Sequence, residues 1–462
     1  MIQRRPSIFI TYNILNMKFF GILLTLLLVA CGSDDNGSSG PAIPPVPDFL
    51  GEVERIATYG GTKNEEARSV ISTLDGGYAI LGTTRSIDGD VTGNLAENND
   101  FWLLKFDAED NLQWNKTYGG SGIEQGQKVI QNPDGSYILV GYTSSDDEDV
   151  SRNAGLKDMW IVHVGPSGSI IWERTFGFSG DDESFSVIST SDGGYFLTGY
   201  LDVTASEGEG DDGFRSTSHG VGDFWGLKLD AQGEYVWRRY YGGTNNDRAN
   251  DVIQTSDGGF IIAGSTESTD FDVTNNKGSY DYWVVRIDNT GTLLWERTLG
   301  GDQLDNGFGL VEAEDGNFIV VGNTRSSNSD VTTSLGFEDA WLVKMTIDNH
   351  VLWKKSYGGT SFDSARGIGK TSDGNFVIAG FSRSVDINLE NNFGQNDAWV
   401  FKINTEGEVL FQKSIGGTGE DRGNAVAGLA NDKIILVGET NSSDNDILNN
   451  QGLTDIFVVK FK

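Results

Sequence analysis

The chain has 462 residues and a formal net charge of −33, with 67 acidic against 34 basic residues, a single Cys and three His. That balance excludes nucleic acid as a partner, because affinity for it comes mainly from cationic neutralisation of phosphates. One Cys cannot form an internal disulfide, and three scattered His cannot build a multi-histidine metal site from one unit. In chain order, the first signal is an apolar run from Phe19 to Ala30 behind Lys18. It is too short to span a membrane and fits the core of an export signal, with Met17 the start that gives a signal of ordinary length.

Leu28-Val-Ala-Cys31 resembles the bacterial lipobox. The resemblance implies cleavage after residue 30 and a diacylglycerol on the Cys31 thiol. Gly32-Ser-Asp-Asp-Asn36 resembles the acidic surface-export signal of Bacteroidetes lipoproteins. The expectation is an outer-membrane lipoprotein exposed on the cell surface. Residues 31–48 are read as a Gly/Ser/Pro-rich flexible tether and residues 49–462 as the folded part.

A Tyr-Gly-Gly-like signal then recurs at Tyr59, Tyr118, Phe176, Tyr241, Leu299, Tyr357 and Ile415. A fixed period decides the architecture before anything else. In the fourth unit, Asp251-Val-Ile-Gln-Thr is a β-type run and Ser256-Asp-Gly-Gly a turn. Phe260 to Thr266 is a second strand, a polar loop reaches Asp281, Tyr282 opens a third strand, and Leu293 opens a fourth after an Asp288-Asn-Thr-Gly turn. Short β-branched and aromatic runs between such turns read as all-β, with no long helix. Seven units of four strands predict a seven-bladed β-propeller of antiparallel blades.

The termini predict closure. Gly51-Glu-Val-Glu-Arg-Ile-Ala-Thr-Tyr-Gly-Gly61 aligns with Gly407-Glu-Val-Leu-Phe-Gln-Lys-Ser-Ile-Gly-Gly417, the end of a unit, whereas the last unit stops at Lys462 before that part. The N-terminal strand should therefore complete the last blade as its outermost strand. The 11 Trp support the register. Trp102, Trp160, Trp225, Trp283, Trp341 and Trp399 open third strands, and Trp114, Trp172, Trp237, Trp295 and Trp353 sit in fourth strands, as packing between blades.

Gly358-Gly…Asp363-Ser-Ala365, Gly374-Asn-Phe-Val-Ile-Ala-Gly380, Ser384-Val-Asp386 and Asp397-Ala-Trp-Val-Phe-Lys402 resemble the SBBP-type propeller repeat. The resemblance implies the fold and no particular reaction.

Strand direction sorts the loops. The loops between units and between second and third strands share one face, here the near face. The far face holds only tight turns. Loops on a rigid scaffold are where function usually sits. Every unit has a carboxylate after its second glycine position: Glu65, Glu124, Asp182, Asp247, Asp305, Asp363 and Asp421. Placed around the channel mouth, these acids either gather a hard cation or bond local backbone amides. The second-to-third loops carry Asp88 and Asp90, Asp147 and Asp149, Asp270 and Asp272, and Asp444 and Asp446, closed by Asp100, Asp158, Asp281 and Asp455. Alternate oxygens with a distal carboxylate supply part of a Ca²⁺ shell, or else cap the loops. A Lys or Arg in six third strands reads as a structural ion pair or a snorkelling side chain. The longer third-unit loop offers Phe214, Arg215 and His219 as a contact loop or a drifted insertion.

No nucleophile–base set is visible. The leading expectation is a monomeric, membrane-anchored binding module, taking a glycan or protein ligand on the acidic near face. The alternatives are a carbohydrate-active hydrolase using paired carboxylates near the channel mouth, and a structural envelope protein.

Overall fold

The computed structural model describes residues 49–462, apart from Leu95, residues 214–218, Val221, Asn388 and Glu390. Cys31, Phe214 and Arg215 lie outside the described residues. Seven four-stranded antiparallel sheets form the ring. The first blade runs outward as β2 (Glu65–Ser72), β3 (Tyr78–Thr84), β4 (Asp100–Phe106) and β5 (Leu112–Tyr118). First strands pack on the first strands of both neighbours and so surround a central channel.

The last blade is made from both ends of the chain. β26 (Asp421–Gly428), β27 (Ile434–Thr440) and β28 (Asp455–Phe461) are followed by β1 (Val53–Tyr59). β1 pairs antiparallel with β28, Tyr59 opposite Ile456 and Val53 opposite Phe461. Phe49 meets Phe411 edge-on at 5.1 Å, extending the seam onto the preceding blade.

The core lies between blades. All six third-strand Trp are at most 1% exposed. The fourth-strand Trp are half-buried and dock on the next blade: Trp295 Nε1 donates to Ile347 O at 3.0 Å and Trp353 Nε1 to Thr405 O at 3.2 Å. Tyr118, Tyr241 and Tyr357 donate their hydroxyls to the turn-glycine carbonyls of the next blade at 2.6–2.8 Å.

On the far face the third-strand cations find their partners in the first hairpin turn. Lys105 meets Asp75 at 2.8 Å, Lys228 meets Asp192, Lys344 meets Asp315 at 2.8 Å and Lys402 meets Asp373 at 2.6 Å. The last blade lacks that turn acid, and Lys460 pairs with Asp110 of the first blade at 2.8 Å. Another tie thus crosses the closure seam.

Candidate functional site

Every first strand carries a β-bulge at the same place. Pairing passes from Ala67 to Ser69, Gly126 to Lys128, Ser184 to Ser186, Ala249 to Asp251, Gly307 to Gly309, Ala365 to Gly367 and Gly423 to Ala425. The skipped residues are Arg68, Gln127, Phe185, Asn250, Phe308, Arg366 and Asn424, and all seven line the channel, a cavity of about 1200 Å³. A bulge re-aims a side chain away from the ladder and is over-represented beside functional sites. The local cause is legible in the second strand. A Cβ on Gly82 would sit 1.8 Å from Glu66 O, and one on Gly380 1.8 Å from Ser364 O, so the bulged backbone needs glycine opposite it.

The wall departs from the repeat. The framework holds the same residue types in nearly every blade, while the bulge ring mixes Arg, Gln, Phe and Asn. On one side the channel is tied across. Asp251 accepts from Ser186 Oγ at 2.7 Å, from Leu310 N at 3.0 Å and from Lys128 Nζ at 3.2 Å, joining the second to fifth blades. The opposite side, from the sixth blade through the seventh to the first, carries a charged cluster. Arg68 pairs with Glu66 at 2.7 Å, and Arg422 pairs with Glu420 and lies 3.8 Å from Glu439. Arg366 and Arg422 each lie 5.4 Å from the Phe381 ring, and Arg366 lies 4.2 Å over Phe308. Burial and then the neighbouring Glu66 charge push the Glu439 carboxyl up, and Glu66 is hydrogen-bonded to it. Gln125 Nε2 donates to Glu66 at 2.5 Å.

The seven register carboxylates turn into their own blades. Each is at most 1% exposed. Asp247 accepts from Gly243 N at 2.8 Å, from Ser268 Oγ at 2.9 Å and from Thr266 Oγ1. Glu65, Glu124, Asp305, Asp363 and Asp421 likewise accept from their second glycine and from hydroxyls of their own unit. Asp182 accepts instead from Phe178 N at 2.6 Å and Asp202 N at 2.9 Å. They fix the inter-unit turn, the local-amide reading of the pattern.

The loop acids are also spoken for by backbone. Asp88, Asp147, Asp270 and Asp444 accept from the amides of Thr62, Ser121, Thr244 and Thr418 at 2.7–2.9 Å. Asp90, Asp149, Asp272 and Asp446 accept from the first glycine N–H at 3.2–3.4 Å. Asp158, Asp281 and Asp455 accept from the amides of Ala154, Lys277 and Gln451. Among the described residues no group of three or more His, Cys, Asp or Glu is placed to hold a metal ion. Among the described residues, Oδ1 of Asp100, Asp158, Asp281, Asp397 and Asp455 is buried without a hydrogen-bond partner, facing the first glycine of the next junction. A Cβ on Gly60 would sit 2.4 Å from Asp455 Oδ1 and 2.7 Å from Glu65 Oε2, hence glycine there. Burial foremost pushes these closing acids up, Asp100 to about 8, Asp281 to about 7 and Asp158, Asp397 and Asp455 to about 6.

His219 is 7% exposed, hydrogen-bonded through Nδ1 to Asp223 at 2.7 Å and stacked on Phe271 at 4.6 Å. Earlier in the same loop, Gly210 O accepts from Trp225 Nε1 of the third strand at 2.9 Å, and Asp212 N–H donates to Arg238 O of the outer strand at 3.3 Å. This part of the insertion acts as packing.

No family model matches the chain. It is similar to the regulatory protein FlaEY of Caulobacter vibrioides, 22% identical over 408 residues, covering 79% of this chain and 41% of that protein. The chain therefore spans less than half the length of that curated relative. Among solved structures it resembles the Pan2 WD40 domain of Neurospora crassa, with 10% identity, a TM-score of 0.47 and coverage of 86% of this chain and 89% of that one. It also resembles puromycin hydrolase, with 10% identity, a TM-score of 0.48 and coverage of 83% and 53%. The propeller stands on its own strand pairing, and these likenesses carry no argument about activity.

Proposed function

We propose that this chain is a surface-anchored binding propeller that takes a glycan at the near-face mouth of its channel. The observation that carries the reading is the bulge ring: seven side chains aimed into one cavity, varied in a chain whose framework repeats. Amide, guanidinium and phenyl groups together suit a sugar, which offers hydroxyl pairs and an apolar ring face. A second feature of the same face supports it. Phe337 is 70% exposed and stacks on Phe362 at 5.5 Å, with the Arg383 guanidinium 5.6 Å over Phe362. Aromatic faces of this kind pack against apolar ring surfaces.

The anchor belongs to the same proposal. Residues 1–30 direct export, Cys31 carries the lipid, and residues 32–48 hold the ring away from the outer membrane. Cys31→Ser should leave unprocessed precursor or release the protein from the membrane fraction. Fatty-acid labelling of that variant at the wild-type level would overturn the anchor.

Hydrolysis finds little support at the mouth. Glycoside hydrolysis uses two carboxylates about 5 Å apart or more, with the sugar between them. Glu66 and Glu439 sit close enough for the charge of one to raise the other, so this pair leaves no such gap. The test is the intact chain in detergent against immobilised and soluble glycans. Saturable binding without product is expected; release of reducing ends lost in Glu439→Gln would replace the binding reading with the enzymatic one.

A further inference from the structure

The geometry points to a carboxylate-recognition site in the channel, centred on Arg366 and flanked by Arg422 and Arg68, which takes the acid group of a uronic-acid-type sugar. It rests on the glycan reading above and names the class of glycan.

Three features converge on Arg366. It is the bulged residue of its strand, so its side chain leaves the ladder and lines the channel. Its guanidinium is clamped between two aromatic faces, 4.2 Å from the Phe308 centroid and 5.4 Å from that of Phe381. Among the described residues no carboxylate pairs with it, and Glu338 and Glu439 act on it only through space. Burial, with Arg422 and Arg68 as like charges, pulls it down to about 10.

Such an arrangement is unfavourable in the free protein. A half-buried cation without an acid loses hydration and gains only the ring faces. Asn250 and Asn424 occupy the same bulge position in two other blades at no such cost, each donating to a carbonyl of the next blade, at 2.6 and 3.0 Å. A packing role would be met by Asn. A planar guanidinium held by its faces keeps its edge N–H groups free, and that edge matches a carboxylate in bidentate fashion. The amides of Gln127 and Asn306 line the same cavity and are free among the described residues to bond sugar hydroxyls. The channel's volume of about 1200 Å³ admits a few sugar rings. Arg68 and Arg422 are held by Glu66 and Glu420, which leaves Arg366 as the guanidinium of the three without an acid partner among the described residues.

The test is calorimetry on the intact chain in detergent with three probes: an oligogalacturonate, its carboxyl-reduced neutral counterpart, and a short poly-glutamate. Wild type is expected to bind the acidic sugar at least about tenfold more tightly than the neutral one, with added salt weakening it. Arg366→Gln should remove that preference, so that the acidic and the neutral sugar bind alike. Arg366→Lys should recover little of it, because the fork is gone. The ligand-free Arg366→Gln protein should melt at or above the wild-type temperature, which separates a ligand role from a structural one. A lowered midpoint would make Arg366 a packing residue and overturn the site. Equal binding of both sugars, unmoved by Arg366→Gln, would overturn the carboxylate assignment and keep the glycan reading. Binding of poly-glutamate alone, or of none of the three, would overturn both.

Discussion

The two faces of the ring use the same residue in opposite ways. On the far face, turn acids such as Asp75 and Asp192 meet Lys105 and Lys228. Burial would raise them, but the ammonium, a Thr hydroxyl and a glycine N–H outweigh it and hold both at about 2. On the near face, the closing acids meet another carboxylate instead. Asp281 faces Asp305, and Asp455 faces Glu65, with burial as the larger effect in both. The difference teaches that the acidity of a repeated acid is set by what it faces: donors on the far face, burial and a second carboxylate on the near face. The proposed site lies in the bulged wall between the two faces.

The comparison treats all seven junctions as equivalent, including the one made by the chain ends, and the largest test removes that one. Deleting residues 49–59 strips β28 of its outer partner and exposes the edge of Ile456-Phe-Val-Val-Lys-Phe461. The melting midpoint should fall by about 10 °C or more and the monomer fraction should drop. Deleting residues 32–47 should do neither. If both truncations melt alike and stay monomeric, the seam does not hold the ring.

A second test sets framework against wall. Asp247→Ala leaves Gly243 N–H and the hydroxyls of Thr266 and Ser268 buried without their acceptor. The cost should be about 2–4 kcal/mol in denaturant unfolding. Gln127→Ala, in the bulge ring, should change stability by no more than about 0.5 kcal/mol. Comparable losses at both positions would erase the distinction between framework and wall.

The blades were legible because strand, turn and tryptophan recur in step, and closure was legible because Gly51–Gly61 repeats Gly407–Gly417. The role of the register acids was open because their donors, such as Thr84 and Ser86 for Glu65, lie far along the chain. The same holds for His219, which is covered by Phe271 from the next unit. The wall was missed for another reason. A bulge belongs to a pair of strands, and its trace in one chain is a lone mid-strand glycine, such as Gly82 or Gly380, which sequence reading takes as part of the repeat. The variable column beside the strict one was the available signal. Regularity drew attention to the acids, and the departure from regularity is what singles out the wall proposed as the site.

The smallest test follows acidity. A closing acid has an ordinary value near 3.8 unfolded and is raised when folded, to about 6 for Asp397 and Asp455 and about 7 for Asp281. Between those values the folded state binds more protons than the unfolded one, so stability falls as pH rises through that window. The far-face acids act in the opposite sense. Their folded values of about 2 for Asp75 and Asp192 give stability that is present above the ordinary carboxylate range and lost as pH falls toward 2. Together they place the maximum midpoint near pH 4, with a decline of a few degrees by about pH 8 and another as pH falls from about 4 toward 2. Asp455→Asn should flatten the alkaline limb, since an amide beside Glu65 carries no charge to repel. Millimolar Ca²⁺ at the alkaline end should not restore the midpoint, because no three carboxylates among the described residues are grouped to hold it. A calcium-dependent recovery would show that a cation, rather than a proton, neutralises the near-face junctions, by mass action on the folded state. A flat profile between those limits would instead mean that water reaches the closing acids, and the contrast between the faces would reduce to the far-face ion pairs alone.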